Sequence, residues 1–241
     1  MKFSFNNKDY YFVRPKFLSL VLFIIGLSIL LSLSCWQFKR LEWKTNLINE
    51  RTERFESEFK RLDQVNNPSE NEFQRVKVFG EVLNEYEFFM PALSKNGNNG
   101  YHILTLLKEK KGKIIIFDTG WVPLKKKDIN FRQDNILSGE SEIEAVIRLP
   151  GRKGRFQPDN DVEKNFWFFV EPKKIQDLIG VNVEKKFYIE AFNDGPNGFP
   201  LGNQTRIYLR NNHLQYALTW LLMALSFIGV FAFAIVKRVK S

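Results

Sequence analysis

The sequence predicts a membrane protein in which two transmembrane helices flank a β-rich (α+β) extracytoplasmic domain, a small antiparallel barrel or sandwich. Residues 17–38 and residues 211–236 contain no Asp, Glu, Lys or Arg. Each run is long enough to cross a bilayer of roughly 30 Å at about 1.5 Å per residue. Between them, short runs rich in Val, Ile, Phe and Tyr alternate with Gly, Pro and Asn turns, a pattern typical of a small β domain.

The two spans leave residues 1–16 and 237–241 as tails on one side of the membrane. Both tails are basic, through Lys2, Lys8, Arg14, Lys16, Lys237, Arg238 and Lys240. The positive-inside rule therefore predicts two cytoplasmic tails and an extracytoplasmic central domain.

A cleaved signal peptide is the competing interpretation of the first run, because basic residues precede it. The run is, however, longer than a signal-peptide core of about 7 to 15 residues. It also ends in Cys35-Trp36-Gln37 rather than in a small-residue cleavage site. We therefore expect an uncleaved span.

The formal net charge of +9 does not indicate a nucleic-acid-binding protein, because much of the excess lies in the tails beside the spans. Basic tails at such positions are explained by topology and by anionic lipid, so the bilayer is the expected partner and nucleic acid is not. Cys35 is the single cysteine, which excludes an intramolecular disulfide, and no Cys/His metal spacing occurs in the sequence.

The central part of the chain divides at the turn signal Asn66-Asn67-Pro68-Ser69. Residues 39–65 are predicted to continue the first span as a charged helical extension, and residues 66–210 to form the β-rich domain. One short helix is predicted at 172–179, with Pro172 in its first turn and Gly180 at its end. Strands are predicted at 73–79, 86–90, 101–107, 113–118, 142–149, 166–170, 186–192 and 205–209.

The entrance of the second span carries the strongest functional signal. His213, Tyr216, Ala217 and Trp220 stand at helical spacing and share one face. An imidazole at the mouth of a membrane helix needs a partner. It is either hydrogen-bonded to backbone or lipid headgroup, or it is an axial ligand of haem iron.

After the first span, Trp36, Arg40, Trp43 and Lys44 form a matching aromatic and basic stripe. One interpretation is an aromatic belt with cations that reach the headgroups. The other is that Arg40 binds an anionic group of a membrane-embedded ligand.

No enzyme class is indicated by the remaining sequence. His102 lies in a predicted strand without an obvious carboxylate in register and is interpreted as a satisfied or exposed strand histidine. The acidic residues at 159–163 are interpreted as a solvated loop. A membrane-anchored hydrolase would need a nucleophile and a base, and the sequence offers no motif for either.

Four segments together carry a family resemblance. They are Trp36-Gln37 with Arg40-Leu41 and Trp43-Lys44, then Gly100-Tyr101, then Gly120-Trp121-Val122-Pro123, and finally Asn212-His213 with Tyr216-Ala217 and Thr219-Trp220. In order and spacing the chain resembles the surfeit locus protein 1 family, the membrane-anchored assembly factors of haem-copper cytochrome oxidase. The family usually has Arg before Gly-Trp-Val-Pro, whereas this chain has Thr119, so a role for that arginine does not carry over.

The resemblance implies a respiratory-chain assembly factor that binds haem a and helps deliver it to the catalytic subunit of cytochrome c oxidase. His213 would be the axial ligand of the haem iron, supported by Tyr216 and Trp220. Trp36, Arg40 and Trp43 would line the facing helix, with Arg40 available to a haem propionate. The haem a synthesis machinery is a further candidate partner. The alternative is a scaffold or chaperone that binds no cofactor and stabilises an oxidase assembly intermediate.

The N-terminal tail favours a bacterial inner membrane, with the central domain in the periplasm, over a mitochondrial one. It contains Asp9 and only one arginine. Mitochondrial transit peptides are rich in Arg and poor in acidic residues.

Overall fold

The computed structural model describes residues 2–5, 8–151 and 153–238. The ends of both predicted tails, at residue 1 and at 239–241, lie outside the described residues. In chain order, the helices and strands are β1 (Lys2–Phe5), β2 (Lys8–Phe12), α1 (Phe17–Glu56), β3 (Lys60–Arg61), β4 (Arg75–Leu93), β5 (Asn99–Glu109), β6 (Ile114–Pro123), β7 (Glu140–Arg148), α2 (Pro172–Ile179), β8 (Tyr188–Ala191), α3 (His213–Ala234) and β9 (Val236–Arg238).

The chain divides into two compact units. Met1–Asn49 and Tyr208–Ser241 form the first, which we call the membrane unit, and Glu50–Ile207 form the second, which we call the barrel unit. Helices α1 and α3 are both long and apolar enough to span a membrane, as the sequence predicts. The tails contain strands that the sequence did not predict, because β1, β2 and β9 pair as an antiparallel sheet. The described parts of the two tails therefore lie at the same end of the helix pair.

Helices α1 and α3 pack against each other in antiparallel orientation. Near one end, the ring of Phe23 stacks on Phe231 with their centroids 3.9 Å apart. Farther along, Ser34 Oγ donates a hydrogen bond of 3.0 Å to the backbone carbonyl of Ala217. Small residues at such a point let two membrane helices approach closely, and the backbone contact fixes their register.

The barrel unit is a closed ring of strands in the order β4, β5, β6, β8 and β7, and β7 pairs back onto β4. The predicted β-rich domain is confirmed, and of the two predicted architectures the structure is the barrel. The sheet is mixed rather than wholly antiparallel, since β6 pairs in parallel with β8. Parallel neighbours need a long crossover connection, which the segment containing β7 and α2 provides.

Side-chain alternation along the strands gives the barrel two hydrophobic layers. The inner layer fills the ring and contains Val78, Leu107, Phe117 and Ile147 among others. The outer layer lies between the sheet and α2 and is centred on the fully buried Trp167. Successive side chains of a strand point to opposite faces of the sheet, so neighbouring residues of one strand lie in different layers.

Four of the predicted strands differ from the structure. The runs 73–79 and 86–90 belong to one strand, β4, whose register shifts between Leu83 and Phe88. The runs 166–170 and 205–209 form no strand, although every residue of both is described. The first makes only isolated bridges through Phe166. Helix α2 is confirmed, with Gly180 in a left-handed conformation at its end.

Helix α1 ends at Glu56, short of the predicted end at residue 65. Two phenylalanines at this end of the helix pack onto the barrel. The rings of Phe55 and Phe59 both lie against Phe192, and the guanidinium of Arg75 lies 3.9 Å above the ring of Phe59. These contacts bury aromatic surface at the point where the helix ends.

Candidate functional site

The candidate site in the membrane unit is built around His213, the first residue of α3. Its Nδ1 lies 2.7 Å from Oε1 of Gln37, which is buried on α1. An amide oxygen only accepts hydrogen bonds, so the imidazole donates from Nδ1 to Gln37. The site therefore presents an imidazole whose orientation is fixed by a neighbour on the other helix, with Nε2 as the ring nitrogen outside this contact.

The structure brings only part of the predicted set together. Trp36, Trp43 and Tyr216 are each about half exposed, and Arg40 is exposed. Arg40 and Trp43 contact each other, with the guanidinium 4.3 Å from the ring centroid. The stripe therefore forms an exposed aromatic and basic surface of the membrane unit.

On α3, the residues of the predicted face around His213 differ in their exposure to solvent. Ala217 is fully buried in the helix contact, Trp220 is partly buried, and Tyr216 lies at the exposed edge. One edge of the predicted face thus packs on α1, and the other is open to the surroundings.

Two polar residues of α1 were given no role by the sequence interpretation, although Gln37 belongs to one of the motif segments. Ser34 contacts the backbone of Ala217, and Gln37 contacts His213. They are three residues apart, and thus on one face of the helix, and both lie in the charge-free run at 17–38. Polar side chains inside a membrane span usually find partners on a neighbouring helix, and that signal could have found them.

In the barrel unit, His102 is the satisfied strand histidine that the sequence indicates, but the expected absence of a carboxylate beside it is wrong. The sequence suggested no carboxylate in register, but His102 Nδ1 lies 2.7 Å from Asp118 Oδ2 and Glu190 lies close by. Burial alone would lower the pKa of His102, but the Asp118 carboxylate raises it, and the net pKa lies above its usual value. The acidic loop behaves as expected, with Asp159 paired to Lys153 and exposed.

Two of the four motif segments meet in the barrel. The side chain of Trp121 is buried, and Nε1 donates a hydrogen bond of 3.1 Å to the carbonyl of Ala92. A Cβ on Gly100 would lie 2.5 Å from the Trp121 ring, so only glycine fits beneath it. Thr119, where the family usually has arginine, donates to the carbonyl of Ile103.

These features define a membrane-anchored barrel protein, with a histidine fixed at the mouth of one span and a closed β-barrel between the spans in the chain. Residues 24–225 match the model of the SURF1 family. The chain is 30% identical over 208 residues to surfeit locus protein 1 of Takifugu rubripes, covering 78% of this chain and 85% of that protein. It is 30% identical over 222 residues to the Homo sapiens protein of that name, covering 85% of this chain and 73% of that protein. For the Mus musculus protein the identity is 30% over 205 residues, covering 78% of this chain and 66% of that protein. The chain belongs to the SURF1 family.

Proposed function

We propose that this protein is an assembly factor for haem-copper cytochrome c oxidase that binds haem a in its membrane unit and helps deliver it to the catalytic subunit. Membership of the SURF1 family supports the assembly role. The observation that carries the haem proposal is the 2.7 Å contact between His213 Nδ1 and Gln37 Oε1. It orients an imidazole in the way that neighbouring groups orient metal-binding histidines.

The donor chemistry fits haem as a cargo. Neutral imidazole is a common axial ligand of haem iron, and Nε2 of His213 is the nitrogen that would bind the iron, because Nδ1 contacts Gln37. His213 is one of two histidines in the chain, and the other lies in the barrel unit. A single histidine ligand suits a carrier, since two strong axial ligands would slow release.

The surrounding residues would bind the rest of the macrocycle. Trp36, Trp43 and Tyr216 offer half-exposed aromatic surface, and Trp220, four residues after Tyr216 on α3, is partly buried. Arg40 would pair with a propionate, for which its guanidinium is suited. Its contact with the Trp43 ring restricts the conformations of that side chain before any cargo is bound.

The same proposal includes the place of action. We assign the protein to a bacterial inner membrane, with both tails cytoplasmic and the barrel in the periplasm. The pairing of β2 with β9 supports two chain ends on one side, and the basic tails support the cytoplasmic side. The oxidase catalytic subunit and the enzymes that make haem a are the proposed partners.

The exposed aromatic surface also suits a second function. A scaffold without a cofactor would use Trp36, Trp43 and Tyr216 to hold an assembly intermediate within the bilayer. In that case, the His213–Gln37 contact would serve only helix packing.

The deciding experiment is an absorption spectrum of the full-length protein, purified in detergent from cells that make haem a. We expect a stoichiometric Soret band for the wild type and its loss in His213→Ala. Gln37→Leu should keep the ligand but lose its orientation, so haem retention should fall by roughly 10-fold to 100-fold.

His102→Ala is the matched control, because it removes the other histidine and should keep the haem spectrum. A wild type without haem that still restores oxidase assembly in a deletion strain would support the scaffold. An unchanged band in His213→Ala would show that the iron is held elsewhere.

A further inference from the structure

A second cluster of ionisable side chains lies on the outer face of the barrel. It contains His102 of β5, Asp118 of β6 and Glu190 of β8, whose side chains are 11%, 2% and 4% exposed. One ligand atom from each lies within 4.8 Å of the others. The strand register makes this cluster, because Asp118 pairs with Leu104 on one side and with Glu190 on the other. Three neighbouring strands thus each contribute one side chain.

The charges of this cluster do not balance. Arg148 Nη1 lies 2.7 Å from Glu190 Oε2, and Arg148 Nε lies 3.5 Å from Glu72 Oε1, so one guanidinium is shared by two carboxylates. Asp118 adds a third carboxylate, and its partner His102 can add at most one positive charge, so three carboxylates face at most two cations in Arg148 and His102. Buried charge that is not paired is costly, so the cluster favours an additional cation.

The other nearby cation is directed elsewhere. The guanidinium of Arg206 lies on the wall of the same cavity, but it donates to the carbonyls of Leu93 and Ser94.

Each carboxylate has one oxygen held by the protein. The backbone N–H of Gly120 donates a hydrogen bond of 3.0 Å to Asp118 Oδ1, and Arg148 holds Glu190 Oε2. Within the cluster itself, Asp118 Oδ2 lies 2.7 Å from His102 Nδ1, a contact that a shared metal ion would replace. The contacts with Gly120 and Arg148 orient the two carboxylates, as outer-shell groups do at metal sites. The buried hydroxyl of Thr205 lies beside the Glu190 carboxylate.

We propose that His102, Asp118 and Glu190 bind a divalent transition-metal ion, for which Zn²⁺ is the probe. One imidazole nitrogen and two carboxylate oxygens are a donor set that Zn²⁺ accepts, whereas Mg²⁺ and Ca²⁺ prefer oxygen alone. With ligands at about 2.1 Å, tetrahedral donors stand about 3.4 Å apart. The His102–Asp118 pair must therefore open slightly and the third ligand must move inward, which are side-chain adjustments.

The site also has an open side. A surface cavity of about 400 Å³ is lined by the three ligands together with Met90, Gln204 and Arg206 among others. A water or a small ligand can reach the fourth coordination position from there. This proposal concerns the barrel alone and holds whether or not the membrane unit carries haem.

The test is Zn²⁺ binding to the full-length protein in detergent, after chelator treatment, by equilibrium dialysis. We expect one Zn²⁺ per chain, bound in the presence of excess Mg²⁺. His102→Ala and Asp118→Asn should each weaken binding at least ~10-fold. Asp118→Asn keeps the oxygen that accepts from Gly120, so it serves as the milder variant. Co²⁺ should give visible absorption bands that His102→Ala abolishes.

Two variants control for adventitious binding. His213→Ala removes the other histidine, and Asp159→Asn removes an exposed carboxylate, and both should bind Zn²⁺ like the wild type. Absence of stoichiometric binding to the wild type would overturn the proposal. Equal affinity in the wild type, His102→Ala and Asp118→Asn would overturn it as well, and the cluster would then be an internal ion-pair network.

Discussion

Removal of Glu87 should destabilise the barrel far more than removal of an exposed carboxylate. Glu87 of β4 forms an ion pair with Arg132, and the two side chains are only 14% and 4% exposed. Arg132 lies between β6 and β7, and its Nε is already buried without a hydrogen-bond partner in the described chain. Glu87→Ala would leave the whole guanidinium charge without a carboxylate. Loss of one partner of a buried pair costs about 3 to 5 kcal/mol.

The assay is urea unfolding of the barrel in the full-length, detergent-solubilised protein. With a denaturant slope of about 1 to 3 kcal/mol per molar urea, a loss of ~3 kcal/mol lowers the midpoint by about 1 to 3 M. The control is Glu142→Ala, because Glu142 pairs with Lys77 at 3.1 Å but the two side chains are 57% and 38% exposed. An exposed pair contributes about 0 to 1 kcal/mol.

A double variant separates the charge from the packing. Glu87→Leu combined with Arg132→Met removes both charges and should recover most of the stability, since apolar residues often replace a buried ion pair without loss. If Glu87→Ala costs no more than Glu142→Ala, the guanidinium of Arg132 reaches water and the reasoning is wrong.

Three further predictions use the same unfolding measurement. Gly120→Ala should cost about 1 to 3 kcal/mol, because φ is +120° there and a Cβ would lie 2.3 Å from the carbonyl oxygen of Leu201; a wild-type midpoint would refute this. Trp167→Ala should cost about 3 to 5 kcal/mol because the side chain is fully buried, and Trp167→Phe should cost less; equal losses would contradict a packing origin. A hydrogen bond from Asn193 lowers the pKa of Glu144 in the folded protein. The ionised Glu144 therefore stabilises the fold above its pKa in the unfolded chain, and this stabilisation is lost as the pH falls through its pKa in the folded protein. Glu144→Gln should flatten the decline in stability between about pH 5 and 3.

The parts of the fold that depend on local pattern were predictable from sequence. The two spans follow from charge-free runs, and α2 follows from its proline and its glycine. The bulge in β4 was missed because polar residues such as Asn84 and Glu85 look like a turn between two strands. A register shift inside one strand has no local signature that separates it from a loop.

The run 166–170 was predicted as a strand because it is aromatic and apolar. Its apolar character has another cause, since Trp167 fills the outer layer and meets Phe88 edge-on with centroids 5.3 Å apart. Its backbone donates to the carbonyl of Phe89 without forming a continuous ladder. Composition shows that such a segment is buried, but long-range pairing decides whether it becomes a strand.

The partners of the two histidines could not be predicted in the same way. His102 and Asp118 are separated by 16 positions, and they meet only because β5 and β6 form a hairpin with a register shift beside Gly120. His213 and Gln37 are separated by 176 positions and meet only when the two spans pack. Neither contact can be recognised from the spacing of residues within a single segment of the sequence.

The chemical difference between those partners is what separates the two proposed sites. Gln37 orients His213 without adding a charge, which suits a neutral ligand for a large, apolar cargo that must be released. Asp118 orients His102 and adds a negative charge, and Glu190 adds another, which suits a small, highly charged cation. His213→Ala should therefore abolish haem binding and leave Zn²⁺ binding intact, and His102→Ala should do the reverse. If either variant removed both ligands, the two histidines would belong to one site, and the division of function argued from their partners would be wrong.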